Sequence, residues 1–218
     1  MKIIKTLPVS FILLVILVFS SCKEQYIKPI INFSPDKNNE VLDFTSVDNI
    51  EIAFDIKIIS ENEIKNISIS EYIYEGDTII EIKELPPVEG YAGKLDFNYH
   101  FTKTYIEKDF KGRSKIDIVF TVFDNKGQSV EKFYRLTHSG KYVVDFIITD
   151  TEGTPVDDAV IKLGETINDT GIYKFIVSAG NYNYEVSKNN YNTLTDSIKV
   201  ENISLEVNIQ LETETDLQ

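Results

Sequence analysis

Several residue types that usually carry chemistry are scarce or missing in this chain of 218 residues. It has no tryptophan, one cysteine, one methionine and two histidines. A single cysteine excludes an intramolecular disulfide, so stability must come from the burial of apolar side chains. Zinc sites built from several cysteines and histidines at close spacing are excluded as well.

Positive charge is also scarce, and the only arginines are Arg113 and Arg135. The chain has 35 acidic and 22 basic residues, a net charge of −13, and removal of Lys2 and Lys5 with the first 21 residues would leave −15. Nucleic-acid phosphates are bound by clustered lysine and arginine. We therefore expect no nucleic acid partner, and the acidity is typical of a soluble, exposed, exported protein.

The one long apolar run stands near the start of the chain, from Phe11 to Phe19. Lys2 and Lys5 precede it, and Ser20-Ser21-Cys22 follows it. A basic segment, a short apolar segment and a small-residue exit are typical of a secretory signal peptide. Nine helical residues would cover roughly 14 Å, about half the hydrocarbon core of a membrane. We predict a signal peptide at residues 1–21.

The end of this segment resembles the lipobox of bacterial lipoproteins, with Phe19 where that pattern prefers leucine. The resemblance implies that Cys22 becomes the N-terminus, carries fatty acyl (palmitate) chains, and anchors the protein to a membrane through a tether at residues 22–29. Lys23 and Glu24 resemble an export signal of Gram-negative surface lipoproteins, which implies a lipid anchor in the outer membrane, at the cell surface. The alternative is a plain secreted protein with a spare thiol.

The rest of the chain has abundant tyrosine, phenylalanine, isoleucine and valine in alternating patterns. Apolar residues occupy every second position over Ile50–Ile58, Leu95–Phe101 and Ile116–Val122. Period two over these lengths predicts strands with one buried face. Asp124–Gly127 supplies turn residues for a hairpin, and no helical stripe follows the signal segment. We predict an all-β fold of two tandem antiparallel β-sandwiches.

The first predicted sandwich covers residues 30–138. It opens with Pro29-Ile30-Ile31 and Ser34-Pro35, and it ends with Phe120–Asp124 followed by Gly127. These motifs resemble an immunoglobulin-like (Ig-like) sandwich of bacterial surface proteins. The Cys–Trp–Cys core pattern of antibody domains is absent.

The second predicted sandwich covers residues 141–212, after a polar break at His138-Ser139-Gly140, and leaves a tail at 213–218. Its motifs are Asp150-Thr151-Glu152-Gly153-Thr154-Pro155-Val156, Asn168-Asp169-Thr170-Gly171 and Ala179-Gly180-Asn181-Tyr182. They resemble the carboxypeptidase regulatory-like (transthyretin-like, PEGA-like) sandwich. Gly153, Gly171 and Gly180 are predicted to take a positive φ.

Nothing in the sequence forms a recognisable catalytic or cofactor motif, so we expect no enzyme, no cofactor and no metal. His100 has the parity of a solvated strand residue, and His138 stands in the break without companions at ligand spacing. Paired carboxylates remain open, because their pairing depends on the fold. The acidic turns fall short of a calcium loop. Lys141 and Asn208 could form the isopeptide bond of some relatives, but Asn208 has outward parity.

Two further kinds of candidate site remain. Exposed tyrosines could form a platform for sugar or protein, although most are expected to be half-buried strand residues; the candidates are Tyr72, Tyr74, Tyr91, Tyr105, Tyr182, Tyr184 and Tyr191. Asp77-Thr78-Ile79 and Asp196-Ser197-Ile198 resemble a three-residue O-glycosylation pattern of Gram-negative exported proteins, which implies Thr78 and Ser197 as acceptors.

Together these features predict a non-catalytic surface lipoprotein that acts in adhesion, binding or scaffolding, with an unidentified protein or glycan partner. A glycan-binding accessory lipoprotein of a polysaccharide-capture system is one alternative. A fimbrial anchor or subunit is another, although the absence of arginine between Cys22 and Arg113 argues against a polymerising subunit that is matured after an arginine.

Overall fold

The computed structural model describes residues 27–214. The predicted signal peptide, the Cys22 lipidation site and the end of the predicted tail therefore lie outside the described residues. Within the described range the chain has fifteen strands, one 3₁₀ turn at Glu107–Phe110 and no α-helix. The all-β prediction is confirmed for this range, in which no helix is long and apolar enough to cross a membrane.

The first eight strands form a three-stranded sheet, in the order β1-β3-β6, and a five-stranded sheet, in the order β2-β8-β7-β4-β5. Their bounds are β1 Ile30–Ser34, β2 Asn39–Leu42, β3 Asn49–Ile59, β4 Ile64–Glu75, β5 Thr78–Glu84, β6 Asp96–Ile106, β7 Lys115–Asp124 and β8 Ser129–His138. The alternating runs seen in the sequence are strands β3, β6 and β7, and the predicted hairpin joins β7 to β8.

Aromatic rings from both sheets meet in the core of this first sandwich. Phe54 of β3 stacks on Tyr134 of β8 with ring centroids 4.4 Å apart, and Phe33 meets both Phe54 and Phe120 edge-on. Rings of this size each bury a large apolar area and prefer stacked or edge-on contacts. These contacts hold the two sheets face to face.

The last seven strands form a four-stranded sheet, in the order β11-β10-β13-β14, and a three-stranded sheet, in the order β12-β9-β15. Their bounds are β9 Tyr142–Asp150, β10 Val160–Leu163, β11 Thr166–Asn168, β12 Lys174–Val177, β13 Gly180–Ser187, β14 Leu194–Val200 and β15 Leu205–Leu211. Phe146 joins the two sheets by edge-on contacts with Phe175 of its own sheet and Tyr184 of the other.

The prediction of purely antiparallel sandwiches is wrong at one place in each. β2 pairs with β8 in parallel, and β9 pairs with β15 in parallel. Parallel neighbours require a long crossover connection. Here the intervening strands supply it, and hydrophobic alternation alone does not reveal strand direction.

The two acidic turns are built alike. Asp124 accepts hydrogen bonds from the N–H groups of Lys126 and Gln128, and Asp150 accepts them from Glu152 and Thr154. An aspartate side chain that satisfies its own turn in this way fixes the turn locally. These carboxylates therefore serve the turns.

Glycine is required for two different reasons in the second sandwich. Gly171 has a φ of +79°, and a Cβ there would lie 2.9 Å from the carbonyl oxygen of Asp157. The predicted positive φ at Gly180 is wrong, because Gly180 begins β13 without one. A Cβ at Gly180 would instead lie 3.4 Å from the ring of Tyr182, so lack of a side chain makes room for that ring.

Two separate hydrophobic cores divide the described chain. One draws on residues from Ile31 to Leu136, and the other on residues from Tyr142 to Leu211. Whether each folds as an independent domain, with the predicted bounds of 30–138 and 141–212, stays a prediction.

Candidate interaction surface

The five-stranded sheet buries side chains on both of its faces. In β7, Ile116, Ile118 and Phe120 point into the core, while Asp117 and Val119 on the opposite side are buried as well. When one face of a sheet is solvated, buried apolar residues normally alternate along each strand with exposed polar residues. The face turned away from the core, called the outer face below, departs from that pattern.

Strand register places the side chains of the outer face in rows. Tyr72, Asp117 and Arg135 lie side by side across β4, β7 and β8, and Ile82 of β5 lies next to Tyr72. The other apolar members are Tyr74, Val119 and Phe133, with Val119 paired directly with Phe133.

Asp117 holds Arg135 in place on this face. The Arg135 Nε and Nη2 groups donate to the two carboxylate oxygens of Asp117, each at 2.7 Å. This bidentate hydrogen bond raises the pKa of Arg135, and burial is the main cause that raises the pKa of the neighbouring Tyr74. The guanidinium also lies 5.1 Å from the ring centroid of Phe133. Arginine and ring thus form one preorganised unit.

Apolar side chains remain accessible on the outer face. Phe133 is 43% exposed and Ile82 is 57% exposed. Aromatic residues and arginine are enriched at protein interfaces, and a fixed guanidinium loses little freedom on binding. The outer face therefore has the chemistry of a binding surface.

The other buried charges of the first sandwich have structural partners. Glu71 of β4 projects into the core, where it accepts hydrogen bonds from the Tyr105 hydroxyl at 2.5 Å and from Lys103 at 2.6 Å. Burial, followed by the nearby Glu71 charge, raises the pKa of Tyr105 far above its ordinary value. The Tyr105 hydroxyl therefore stays protonated and donates its hydrogen bond to Glu71. Through Glu71, Lys103 and Tyr105, side-chain hydrogen bonds connect β4 of one sheet to β6 of the other.

A second carboxylate joins the two sandwiches. Glu107 lies in the 3₁₀ turn after β6, and its side chain accepts hydrogen bonds from the backbone N–H and the hydroxyl of Ser204 at 2.8 to 3.2 Å. The Ser204 hydroxyl oxygen in turn accepts from the N–H of Val143 at the start of β9. Hydrogen bonds to a charged acceptor are the stronger kind.

His138 fills the space beside this contact. Its ring stacks on Tyr142 at 4.7 Å and on Phe44 at 5.6 Å, and its Nδ1 accepts a hydrogen bond from the N–H of Gly140. Its Nε2 is buried without a hydrogen-bond partner, 3.6 Å from Glu107. Burial lowers the pKa of His138, and the nearby carboxylates only partly offset this.

The residues predicted as modification sites are far apart in the fold. Thr78 is the first residue of β5 and Ser197 lies within β14, and both are exposed. Asp196 accepts a hydrogen bond from the N–H of Ser197. Cys22 lies outside the described residues, so the three sites stay predictions.

The remaining sequence candidates have ordinary surroundings. His100 is exposed on β6, with Nδ1 2.8 Å from an Asp55 oxygen, which agrees with its parity. Asn208 is exposed and donates to Glu206 rather than facing the core. Among residues 27–214, no group of three or more histidine, cysteine, aspartate or glutamate side chains could hold a metal ion.

Most of the candidate tyrosines are dispersed. Tyr105 and Tyr184 are buried in different cores, and Tyr91 donates to Asn66 while packing on the first core. Tyr72 and Tyr74 share a surface, and that surface is the outer face.

Sequence reasoning missed the key residues of this surface. The signal was present in the alternation itself, because Val119 and Phe133 stand at the positions of their strands that should be polar. In the sequence Arg135 is one of two arginines without a local motif, because its partner on the neighbouring strand depends on register.

The described chain thus belongs to the class of all-β proteins built from β-sandwiches. No protein-family model matches the chain, and no curated protein matches it either.

Solved structures with a distant likeness include surface pilins and adhesins. BcpA, the major pilin subunit of Bacillus cereus, is 11% identical with a TM-score of 0.30, over 86% of this chain and 71% of that one. The pilus backbone RrgB of Streptococcus pneumoniae is 13% identical with a TM-score of 0.28, over 86% and 94%. A Mobiluncus mulieris adhesin is 9% identical with a TM-score of 0.28, over 86% and 99%. At these values no family is assigned.

Proposed function

We propose that this protein is a non-catalytic adhesion or structural module of the cell surface. In this proposal acyl chains on Cys22 anchor it in the outer membrane, and a tether carries an Ig-like sandwich followed by a carboxypeptidase regulatory-like one. Two acyl chains give lasting attachment, because each buried CH₂ contributes about 0.8 kcal/mol.

The observation that carries the proposal is the outer face. It combines accessible Phe133 and Ile82 with a preorganised Arg135, which Asp117 orients. Such a surface favours contact with another macromolecule, since desolvating apolar side chains supplies affinity and the arginine supplies specificity.

The hydrogen-bonded junction favours the structural part of the role. The Glu107 carboxylate of the first sandwich accepts hydrogen bonds from the N–H and the hydroxyl of Ser204 in the second. The Ser204 hydroxyl oxygen accepts from the N–H of Val143, which fixes Ser204 to the start of β9. A module that holds a partner away from the membrane benefits from such a fixed connection, because a flexible one would let the partner collapse onto the surface.

The binding role is tested by photo-cross-linking in intact cells. A photoreactive amino acid placed at Phe133 should give adducts with envelope components, while the same group at the exposed Ile176 of β12 should give fewer. Arg135→Ala, combined with the probe at position 133, should reduce the adducts. Equal labelling from positions 133 and 176 would contradict the binding role.

The anchoring role is tested by mass spectrometry of the mature protein. The expected N-terminal residue is Cys22 with a diacylglyceryl group, and Cys22→Ala should release the protein from membrane fractions. An unmodified mature N-terminus would refute the anchor while leaving the binding proposal intact. Glycopeptide analysis at Thr78 and Ser197 tests the predicted modification in the same experiment.

Glycan binding is the second candidate, because Tyr72 and Tyr74 are neighbours on the outer face. Aromatic rings provide apolar faces on which sugars can stack. Binding on a glycan array that is lost in Tyr72→Ala, but kept in Ile176→Ala, would favour this role over contact with a protein.

A further inference from the structure

β5 is an open edge of the five-stranded sheet. It pairs with β4 on one side, and in the described part of the chain no strand pairs with its other side. All seven of its residues are exposed, and they include Ile79, Ile80 and Ile82. An edge strand of this length and composition is a template for pairing with another chain.

The hydrogen-bond pattern shows which backbone groups of β5 are available. The N–H of Leu85 donates to the carbonyl of Ile69 on β4. In an antiparallel ladder alternate residues face the partner strand, so Glu81 and Lys83 also direct their N–H and C=O groups to β4. Ile82 and Glu84 direct theirs away from the sheet.

We propose that β5 pairs antiparallel with β5 of a second copy of this chain, about a two-fold axis at Ile82. This register brings Ile82 next to the partner's Ile82, and their outward backbone groups hydrogen-bond to each other. On the opposite face, Glu81 lies across from the partner's Lys83, and Lys83 lies across from the partner's Glu81. The two copies then share one continuous ten-stranded sheet.

Charge selects this register over its neighbours. A shift that centres the axis on Glu81 places two glutamates directly opposite each other, and a shift that centres it on Lys83 places two lysines opposite each other. Like charges across an antiparallel pair are destabilising, and opposite charges are stabilising. Among these three registers only the one centred on Ile82 makes two opposite-charge pairs.

The sequence around β5 also limits the assembly to two copies. Pro86 and Pro87 follow the strand, and proline cannot donate to a ladder. The opposite edge of the sheet is β2, which has four residues. An isologous pair uses the same edge of both copies, so it closes instead of growing into a fibre.

Cysteine cross-linking tests the pairing in the full chain in its own membrane. Paired residues at the axis have Cα atoms about 5.5 Å apart, within the range that a disulfide spans. Ile82→Cys should therefore give a covalent dimer on non-reducing gels. Glu81→Cys is the matched control, because its equivalents lie diagonally, about 7–8 Å apart, and should cross-link at least about fivefold less. Unaltered protein controls for Cys22, the only native cysteine.

Exchange of charges tests the register independently. Glu81→Lys and Lys83→Glu should each weaken dimerisation of residues 22–218 in sedimentation experiments by about tenfold, since each converts two attractive pairs into repulsive ones. The double variant should restore it. Glu81 also accepts a hydrogen bond from Arg113 within its own chain. The double variant lacks this bond as well, so restored dimerisation in that variant must come from the charge pairs between the two copies. Equal cross-linking at positions 81 and 82, or a double variant as weak as the single ones, would overturn the proposal.

Discussion

Replacement of Lys103 by methionine removes one of the two side-chain donors that hold the Glu71 carboxylate inside the first sandwich. That carboxylate is only 3% exposed, so it cannot exchange the lost partner for water without opening the core. Breaking a buried pair in this way costs about 3–5 kcal/mol. We expect Lys103→Met to lower the free energy of unfolding by that amount.

Removal of the other partner should cost less. In Glu71→Leu the buried charge is gone, and Lys103, which is 29% exposed, can turn its ammonium group to solvent. The remaining penalty is the buried Tyr105 hydroxyl without an acceptor, about 1–3 kcal/mol. The double variant should resemble Glu71→Leu, because the lysine has no function left once the carboxylate is absent.

Urea unfolding followed by far-UV circular dichroism measures these differences in the free energy of unfolding. Circular dichroism is chosen because the chain has no tryptophan to report unfolding by fluorescence. Because the described chain has two cores, the transition of the first sandwich should shift while that of the second stays in place. The reasoning is refuted if Lys103→Met is more stable than Glu71→Leu, because that order would mean the carboxylate does not need its lysine.

Three other predictions concern the junction and the outer face. Since burial lowers the pKa of His138 below its ordinary value of 6.5, the unfolded chain binds more protons and stability should fall as the pH drops below about 6.5. His138→Phe should flatten this slope in unfolding experiments, and an unchanged slope would contradict the assignment. Glu107→Ala leaves the Ser204 N–H without its acceptor and should destabilise the junction by about 1–3 kcal/mol, measured as faster hydrogen exchange around Ser204 and unaltered exchange elsewhere. Asp117→Ala leaves the Arg135 side chain free to move, so cross-linking of a partner by the photoreactive group at position 133 should fall by a larger factor than the folding stability does. A loss of thermal stability in calorimetry with unchanged cross-linking would contradict this role of Asp117.

Strong alternation made much of the fold predictable. Ile52, Phe54, Ile56 and Ile58 are all buried on one side of β3, because a sheet with one core face imposes period two on its sequence. The turn at Asp124 was equally predictable, since its chemistry is local. Both the strand class and the hairpin could therefore be derived without knowing which strands pair.

Features that depend on position within a sheet were not predictable. All seven residues of β5 are exposed, so the strand has no alternation of buried and exposed positions from which its place at the sheet edge could be predicted. Glu71 is a buried charge whose partners come from another sheet, and Glu107 meets Ser204 across 97 positions of sequence. Strand order, direction and register create these contacts, and a single sequence does not encode them in any local pattern.

The parallel pairs have a mechanical consequence for this chain under tension. In the second sandwich, the start of β9 and the end of β15 point in opposite directions along a ladder that runs from Val144–Leu205 to Asp150–Leu211. Tension applied to these two ends shears the strands past each other, which loads all the rungs at once rather than peeling them singly. The first and last strands of the second sandwich thus resist its extension.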